Sequence, residues 1–417
     1  MSIYKRVLVF TYWGLNDGLV SSTMMPYLRM ISDEIGTDGK IIFVTLDVKP
    51  PDRSVLAPYP NIEHRSFKYH RFGSKGILMV LRLLWSMWQI IRKERIDVIH
   101  TWCTPAGAVG HLLSRITGLP QILDSHEPHA ESMVENGSWR KGGSAYQLLF
   151  ALEKAQTRHA RHIIAANAGM RGYAREKYGC DRPMHVRPAC VDLKVFSREK
   201  ARSPELVRSF GLEGKKVVVY AGKFGGIYWD KEFFELMAAA FRKWRDALRV
   251  LLFTNHDPQE IRMWVDQYDL PQEIFIIKFV PHDHIAEHIG LGDVAITPVR
   301  PVPSKRFCTP VKDGEYWAMG LPVIITPDIS DDSDIIEKYA IGSVVRGTTP
   351  EDMDRAIEEI DTLLDSTSHD RLHARIRSVA EKYRNFADAA RIYHLIYQGK
   401  DPLLNAASAG QAERPDP

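Results

Sequence analysis

Short runs rich in β-branched and aromatic residues alternate with longer amphipathic segments along almost the whole chain. A parallel sheet wrapped by crossover helices accommodates that alternation. In the first half the strand-like runs are RVLVFTYW (6–13), KIIFVTLD (40–47), DVIHTW (97–102), PQILDSH (120–126) and HIIAAN (162–167). Helical spacing occupies 18–35, 76–95, 105–117, 144–160 and 168–178 between and after them. A second series opens at KKVVVYAGK (215–223) and continues through LRVLLFT (248–254), EIFIIKFV (273–280), DVAITP (293–298) and PVIITP (322–327). Helices are expected at 231–244, 257–267, 283–289, 311–319 and 349–365. The pattern predicts an α/β protein of two Rossmann-like, doubly wound parallel-sheet domains. A chain of 417 residues also exceeds one ordinary core.

The mixed-charge, proline-containing stretch VRPACVDLKVFSREKARSPE (186–205) reads as the interdomain linker. An N-terminal domain over 1–195 and a C-terminal domain over 196–385 follow from it. Residues 386–399 form a helix with Ile392, Tyr393, Ile396 and Tyr397 on its apolar face, and 400–417, without periodicity, reads as a disordered tail.

Composition removes several function classes. Lys+Arg of 55 against Asp+Glu of 52 gives a net charge of +3, too balanced for bulk nucleic-acid binding, so any anion site must be local. Four widely spaced cysteines without a CxxC pair read as reduced thiols, neither a disulfide framework nor a zinc site. The N-terminus lacks a signal-peptide pattern, and no run approaches the ~18 apolar residues of a membrane span. A cytoplasmic protein is expected. The segment KGILMVLRLLWSMWQIIRKER (75–95) carries Trp85, Trp88 and Leu81 among flanking cations. It reads as a crossover helix on its sheet, with peripheral contact to the inner membrane face as a further expectation.

In parallel sheets, ligands gather beyond the carboxyl ends of strands, so the residues just after each strand are the site candidates. After the first strand, Gly14 and Gly18 flank a polar turn that opens a helix; a GxGxxG dinucleotide fingerprint is absent. After PQILDSH come His126 and Glu127, with His129 beside them. After KKVVVYAG, Lys223, Gly225–Gly226 and Lys231 make a compact candidate for a pyrophosphate site. Each of these also has a plain structural reading, as a tight turn or a solvated lysine.

The stretch TPVKDGEYWAMGLPVIITP (309–327) is sharper. Pro310 and Gly320 bracket a helix whose positions 312 and 315 share a face. Burying Lys312 and Glu315 without a ligand would cost several kcal/mol. On a polar wall, Lys312 can meet phosphate and Glu315 can accept from two adjacent ribose hydroxyls.

PVKDGEYWAMGLPVI resembles the P-x-K-x-x-E-Y-x-A-x-G-x-P-V-I signature of GT-B-fold retaining glycosyltransferases of family four (glycosyl transferases group 1). VYAGK, RPACVDLKVF, DVAITP and the His-acid pair after ILDSH fit as well, and the matches span nearly all of 5–398. The resemblance implies two domains facing across a cleft, with the C-terminal one holding a nucleotide-sugar donor (UDP- or GDP-sugar). The N-terminal domain would hold a glycan or lipid-linked acceptor, and the last helix would cross back to it. It implies His126, Lys223 and Glu315 as catalytic residues, with Gly14, Gly18, Glu127, Lys231 and Lys312 binding substrate. No metal and no cofactor are implied. The sequence departs from the family's E-x7-E pair in placing Phe307 at the first acid.

Two metal-like patterns have ordinary alternatives. Asp332-Ser333-Asp334 imitates a D-x-D site but follows a proline turn, where Ser333 can cap a helix. His284 and His288 stand at i, i+4 without a third ligand. The expected function is metal-independent hexosyl transfer with retention, in cell-surface polysaccharide synthesis. The alternatives are a nucleotide-sugar epimerase on the same scaffold and a catalytically silent partner in a polysaccharide-assembly complex.

Overall fold

The strand-like runs pair within their own series in the computed structural model, which describes residues 2–70 and 73–404. The first sheet contains β1 (Arg6–Thr11), β2 (Lys40–Asp47), β3 (Ile62–Lys68), β4 (Val98–Trp102), β5 (Gln121–His126), β6 (His162–Ala165) and β7 (His185–Val186). Their order is β3-β2-β1-β4-β5-β6-β7, with every pair parallel. The second contains β8 (Lys216–Ala221), β9 (Leu248–Phe253), β10 (Phe275–Lys278), β11 (Val294–Thr297), β12 (Val323–Ile325) and β13 (Gly342–Val344). Its order, β10-β9-β8-β11-β12-β13, is again all parallel. Strand order reverses beside β1 and beside β8, so each sheet has its topological switch point at the first strand of its series.

The chain divides into two compact units: Met1–Pro188 joined by the end of the chain from Ala387, and Ala189–Phe386. Residues 189–195, placed by sequence with the first domain, lie in the second unit, where the Val191 N–H donates to the Arg384 carbonyl at 2.9 Å.

Alternate residues of each strand serve opposite faces. In the second unit Val217 and Val219 pack with Leu251, Tyr316 and Trp317, while Val218 and Tyr220 pack with Phe233, Leu252 and Ile296. In the first, Leu8, Phe10, Ile42 and Val44 meet Leu83 and Met87 of the Ser74–Glu94 helix.

The Phe386–Tyr397 helix buries Ile392, Tyr393, Ile396 and Tyr397 within the first unit. The Tyr397 hydroxyl is 2.8 Å from His100 Nδ1, and the Ile3 N–H donates to the Tyr397 carbonyl at 2.8 Å. The expected tail begins differently: Asp401 is buried and bonds His162 Nδ1 at 2.6 Å and His185 Nε2 at 3.0 Å. Two histidine partners for one carboxylate fix this point of the chain, which composition alone could not reveal. Residues 405–417 of that tail lie outside the described residues. Among the described residues no helix is long and apolar enough to cross a membrane.

Candidate active site

In the second unit the Val311–Ala318 helix presents Glu315 with its side chain 10% exposed, and His282 Nε2 lies 3.5 Å from Glu315 Oε1. That carboxylate raises the His282 pKa, against the opposing effect of burial. Lys312 Nζ sits 5.1 Å from the Tyr228 ring centroid, a cation–π contact that steers the ammonium. Its Cε would lie 2.9 Å from a Cβ placed on Gly222, so the glycine after β8 lets Lys312 pass over the strand end. Lys312 is thereby brought to the residue preceding Lys223. The Lys223 side chain is exposed, while its carbonyl accepts the Tyr220 hydroxyl, which pins the loop. Gly225 and Gly226 both have positive φ, 77° and 64°, so this turn requires glycine for its backbone.

Lys231 is exposed at the start of the Lys231–Trp244 helix, whose first N–H donates to Asp230 Oδ1 at 2.7 Å. Arg300 ties down both Asp230 (2.9 Å) and Glu232 (2.6 Å), so the acids flanking Lys231 are already engaged. The Val311–Ala318 helix also carries Asp313, fully buried and hydrogen-bonded to Thr297. Nearby, the buried Arg384 grips both Asp332 oxygens and donates to Thr309 Oγ1 at 2.7 Å, just ahead of that helix. Burial pushes the Asp313 and Asp332 carboxyls up, and Arg384 opposes it.

These contacts dispose of the D-x-D pattern. Asp332 faces Arg384, whereas Asp334 is exposed toward Arg306 at 3.5 Å. Ser333 Oγ accepts the Ile329 N–H (3.0 Å) and donates to the Thr326 carbonyl (3.0 Å). His284 pairs with Glu287 at 3.1 Å, while His288 Nδ1 bonds the His284 carbonyl at 2.8 Å.

In the first unit, Ser125 takes a left-handed φ of 51° and the β5–β6 register shifts between Leu123 and His126. The bulge aims His126 inward, where it is fully buried with Nε2 2.9 Å from Thr157 Oγ1. The Thr157 hydroxyl donates to the Glu153 carbonyl at 2.7 Å, so His126 must donate through Nε2–H. Nδ1 is left as a lone-pair acceptor without a partner among the described residues. Burial lowers the ring's pKa to about 4, so it is neutral at physiological pH. Glu127, partly exposed, lies 3.7 Å from His129 Nδ1.

Asp124, two residues earlier on β5, gathers Arg187, Tyr393 (2.6 Å), Trp102 Nε1 (3.0 Å) and His100 Nε2 (3.2 Å). Burial would raise its pKa, but the Arg187 charge and the bonds from His100 and Tyr393 outweigh it and hold the carboxyl well below its usual range. No cation pairs with Glu153 among the described residues. Burial raises its pKa to about 8, though it accepts from the Ala130 N–H (2.8 Å) and Tyr178 hydroxyl (3.0 Å).

The two glycines after β1 behave differently from each other. A Cβ on Gly14 would meet Asp47 Oδ1 at 2.8 Å, so packing against Asp47 accounts for that glycine. Gly18 is exposed, and a Cβ there would meet nothing within 4 Å. His282 and Tyr228 were not singled out from sequence. Both follow strand ends in the second series, and applying the strand-end rule there would have found them.

The model of Glycosyltransferase Family 4 matches residues 40–195, and that of Glycosyl transferases group 1 matches residues 215–364. The chain belongs to this glycosyltransferase family. A curated relative, the alpha-D-kanosaminyltransferase of Streptomyces kanamyceticus, is 22% identical over 300 residues, covering 69% of this chain and 75% of the relative. Among solved structures, the sucrose-phosphate synthase of Thermosynechococcus elongatus superposes with a TM-score of 0.71 at 16% identity. It covers 97% of this chain and 100% of its own. Anabaena HepE in complex with UDP and glucose gives a TM-score of 0.68 at 14% identity, covering 98% of this chain and 100% of its own. These likenesses establish the two-sheet GT-B fold for this glycosyltransferase.

Proposed function

We propose that this glycosyltransferase moves a hexosyl group, with retention, from a UDP- or GDP-sugar to a glycan or lipid-linked acceptor. The observation that carries the reading is the second-unit constellation. Glu315 stands nearly covered on the helix that also brings Lys312 across Gly222 to the Lys223 turn. A carboxylate accepts two vicinal ribose hydroxyls, and a cation beside a glycine turn takes a diphosphate. HepE was solved with UDP and glucose, which supports a uridine nucleotide as the first donor to try.

The anomeric carbon–oxygen bond to the diphosphate breaks as the acceptor oxygen bonds that carbon from the same face. The acceptor proton passes to the departing phosphate oxygen, and the nucleoside diphosphate leaves. Lys223 and Lys312, with Lys231 at the neighbouring helix start, stabilise the growing negative charge; protein cations serve this purpose without a metal ion. Glu127, partly exposed at the end of β5, is the first-unit group that can meet the transferred sugar, while the fully buried His126 beneath it holds the strand end in place. The setting is cell-surface polysaccharide assembly on the cytoplasmic side of the membrane, with peripheral contact at its inner face.

The test begins with thermal shift against UDP, GDP and ADP, followed by incubation of the matching sugar nucleotide with and without a glycan acceptor. Stabilisation by one nucleotide, turnover only with acceptor, and a product anomer matching the donor by NMR are expected. An inverted product, conversion of the donor alone, or no nucleotide binding would each overturn the reading.

A further inference from the structure

The Ser74–Glu94 helix is covered on one side only. Met79, Leu83, Met87 and Ile91 are buried against the first sheet. At about 100° per residue, a second apolar stripe runs along the helix beside the first. It consists of Ile77, Leu78, Leu81 and Trp85, which are 58%, 47%, 59% and 60% exposed. Trp88 extends it, stacked on Trp85 with centroids 5.1 Å apart. Single exposed apolar residues are ordinary; a stripe of large ones along one helix is not.

Charge follows the stripe. Lys75, Arg82 and Lys93 are exposed along its far edge, and Arg92 lies over the Trp88 ring at 4.9 Å. Among the described residues none of these four cations is ion-paired. The helix's one acid, Glu94, is held by Lys40 at 2.7 Å.

We propose that this face docks on an anionic lipid bilayer. The apolar stripe enters the boundary between headgroups and acyl chains, the tryptophans sit at headgroup level, and the cations reach lipid phosphates. Charge complementarity favours lipid over a second copy of the chain, because a two-fold pairing of this face would bring its unpaired cations together. The inference deepens the membrane-side setting given above, and it needs neither the donor nor the transfer step.

The test is co-sedimentation of the full chain, without sugar nucleotide, with vesicles of phosphatidylglycerol and phosphatidylethanolamine, and separately of phosphatidylcholine. Binding to the anionic vesicles alone, weakened by salt, is expected. Leu81→Glu with Trp85→Ser, and separately Lys75→Glu with Arg82→Glu, should each weaken it by about tenfold or more. Nucleotide thermal shift should be unchanged in both, and the charge variant keeps the test decisive if the apolar one does not fold. No sedimentation, equal binding to phosphatidylcholine, unaffected variants, or a solution dimer dissolved by the apolar pair would each overturn the proposal. Vesicle binding without nucleotide binding would retire the transfer reading and leave this one standing.

Discussion

Glu315→Gln keeps the shape of the side chain and removes its charge, which isolates what the carboxylate contributes. Hydrogen bonds to a charged acceptor contribute about 1.5–3 kcal/mol, and neutral ones about 0.5–1.5 kcal/mol. Two ribose hydroxyls each losing about 1 kcal/mol give about 2 kcal/mol, or roughly a 30-fold rise in donor Kd. The fold should barely notice. Among the described residues the ion-pair partner of Glu315 is His282, at 3.5 Å with its side chain 47% exposed, so the pair is worth less than about 1 kcal/mol when the imidazole is protonated. Because Glu315 raises the His282 pKa, the pair's contribution is full below the unfolded histidine pKa and fades as pH rises through the raised folded value. Wild type and variant should therefore converge in stability on the alkaline side. Titration calorimetry with the selected nucleotide and its sugar, beside NMR titration of His282, reads both effects. A donor Kd within twofold of wild type, with the His282 pKa lowered as expected, would refute the donor role of Glu315 while confirming the geometry.

Arg384→Met should destabilise the second unit by up to about 3–5 kcal/mol, since it strands the buried Asp332 carboxyl; burial already raises that carboxyl's pKa well above its usual value, so the loss should be largest in alkali and shrink as pH falls through the raised value. Denaturant melts at two pH values check this; equal losses at both would contradict it. Glu153, with its folded pKa raised to about 8, makes stability fall as pH climbs from the unfolded carboxyl value to about 8 and level off beyond. Glu153→Gln should flatten that slope in urea melts, and an unchanged slope would show that Glu153 is not its source.

The core strands were legible because their β-branched runs are long and bounded by turn residues. β3, β7 (only His185–Val186) and β13 were not. β3 (IEHRSFK) sits at the sheet edge with charges in alternation, and β13 is only Gly342–Val344. Lys312 and Glu315 stood out because charge inside an apolar helix demands a reason. The environment of His126 could not be read, since it depends on a bulge at Ser125 that no sequence pattern announces. The Asp124 cluster was equally hidden. Its partners lie 22, 24, 63 and 269 residues away, and nothing local marks Asp124 as their meeting point. In the same segment only His284 and His288 were weighed, as a metal pattern; His282 was passed over, and its neighbour across the fold is Glu315.

The first unit is discontinuous, closed by Tyr393, Tyr397 and Asp401 from the end of the chain. During synthesis from the N-terminus, the whole of Ala189–Phe386 leaves the ribosome before those three residues exist. The later-made unit can thus finish folding first, while the earlier one waits with His100, Asp124 and His162 each short of one partner. A nascent chain stalled just short of Ala387 would expose that gap to chaperones and proteases, and a premature stop there would harm the half of the protein already made.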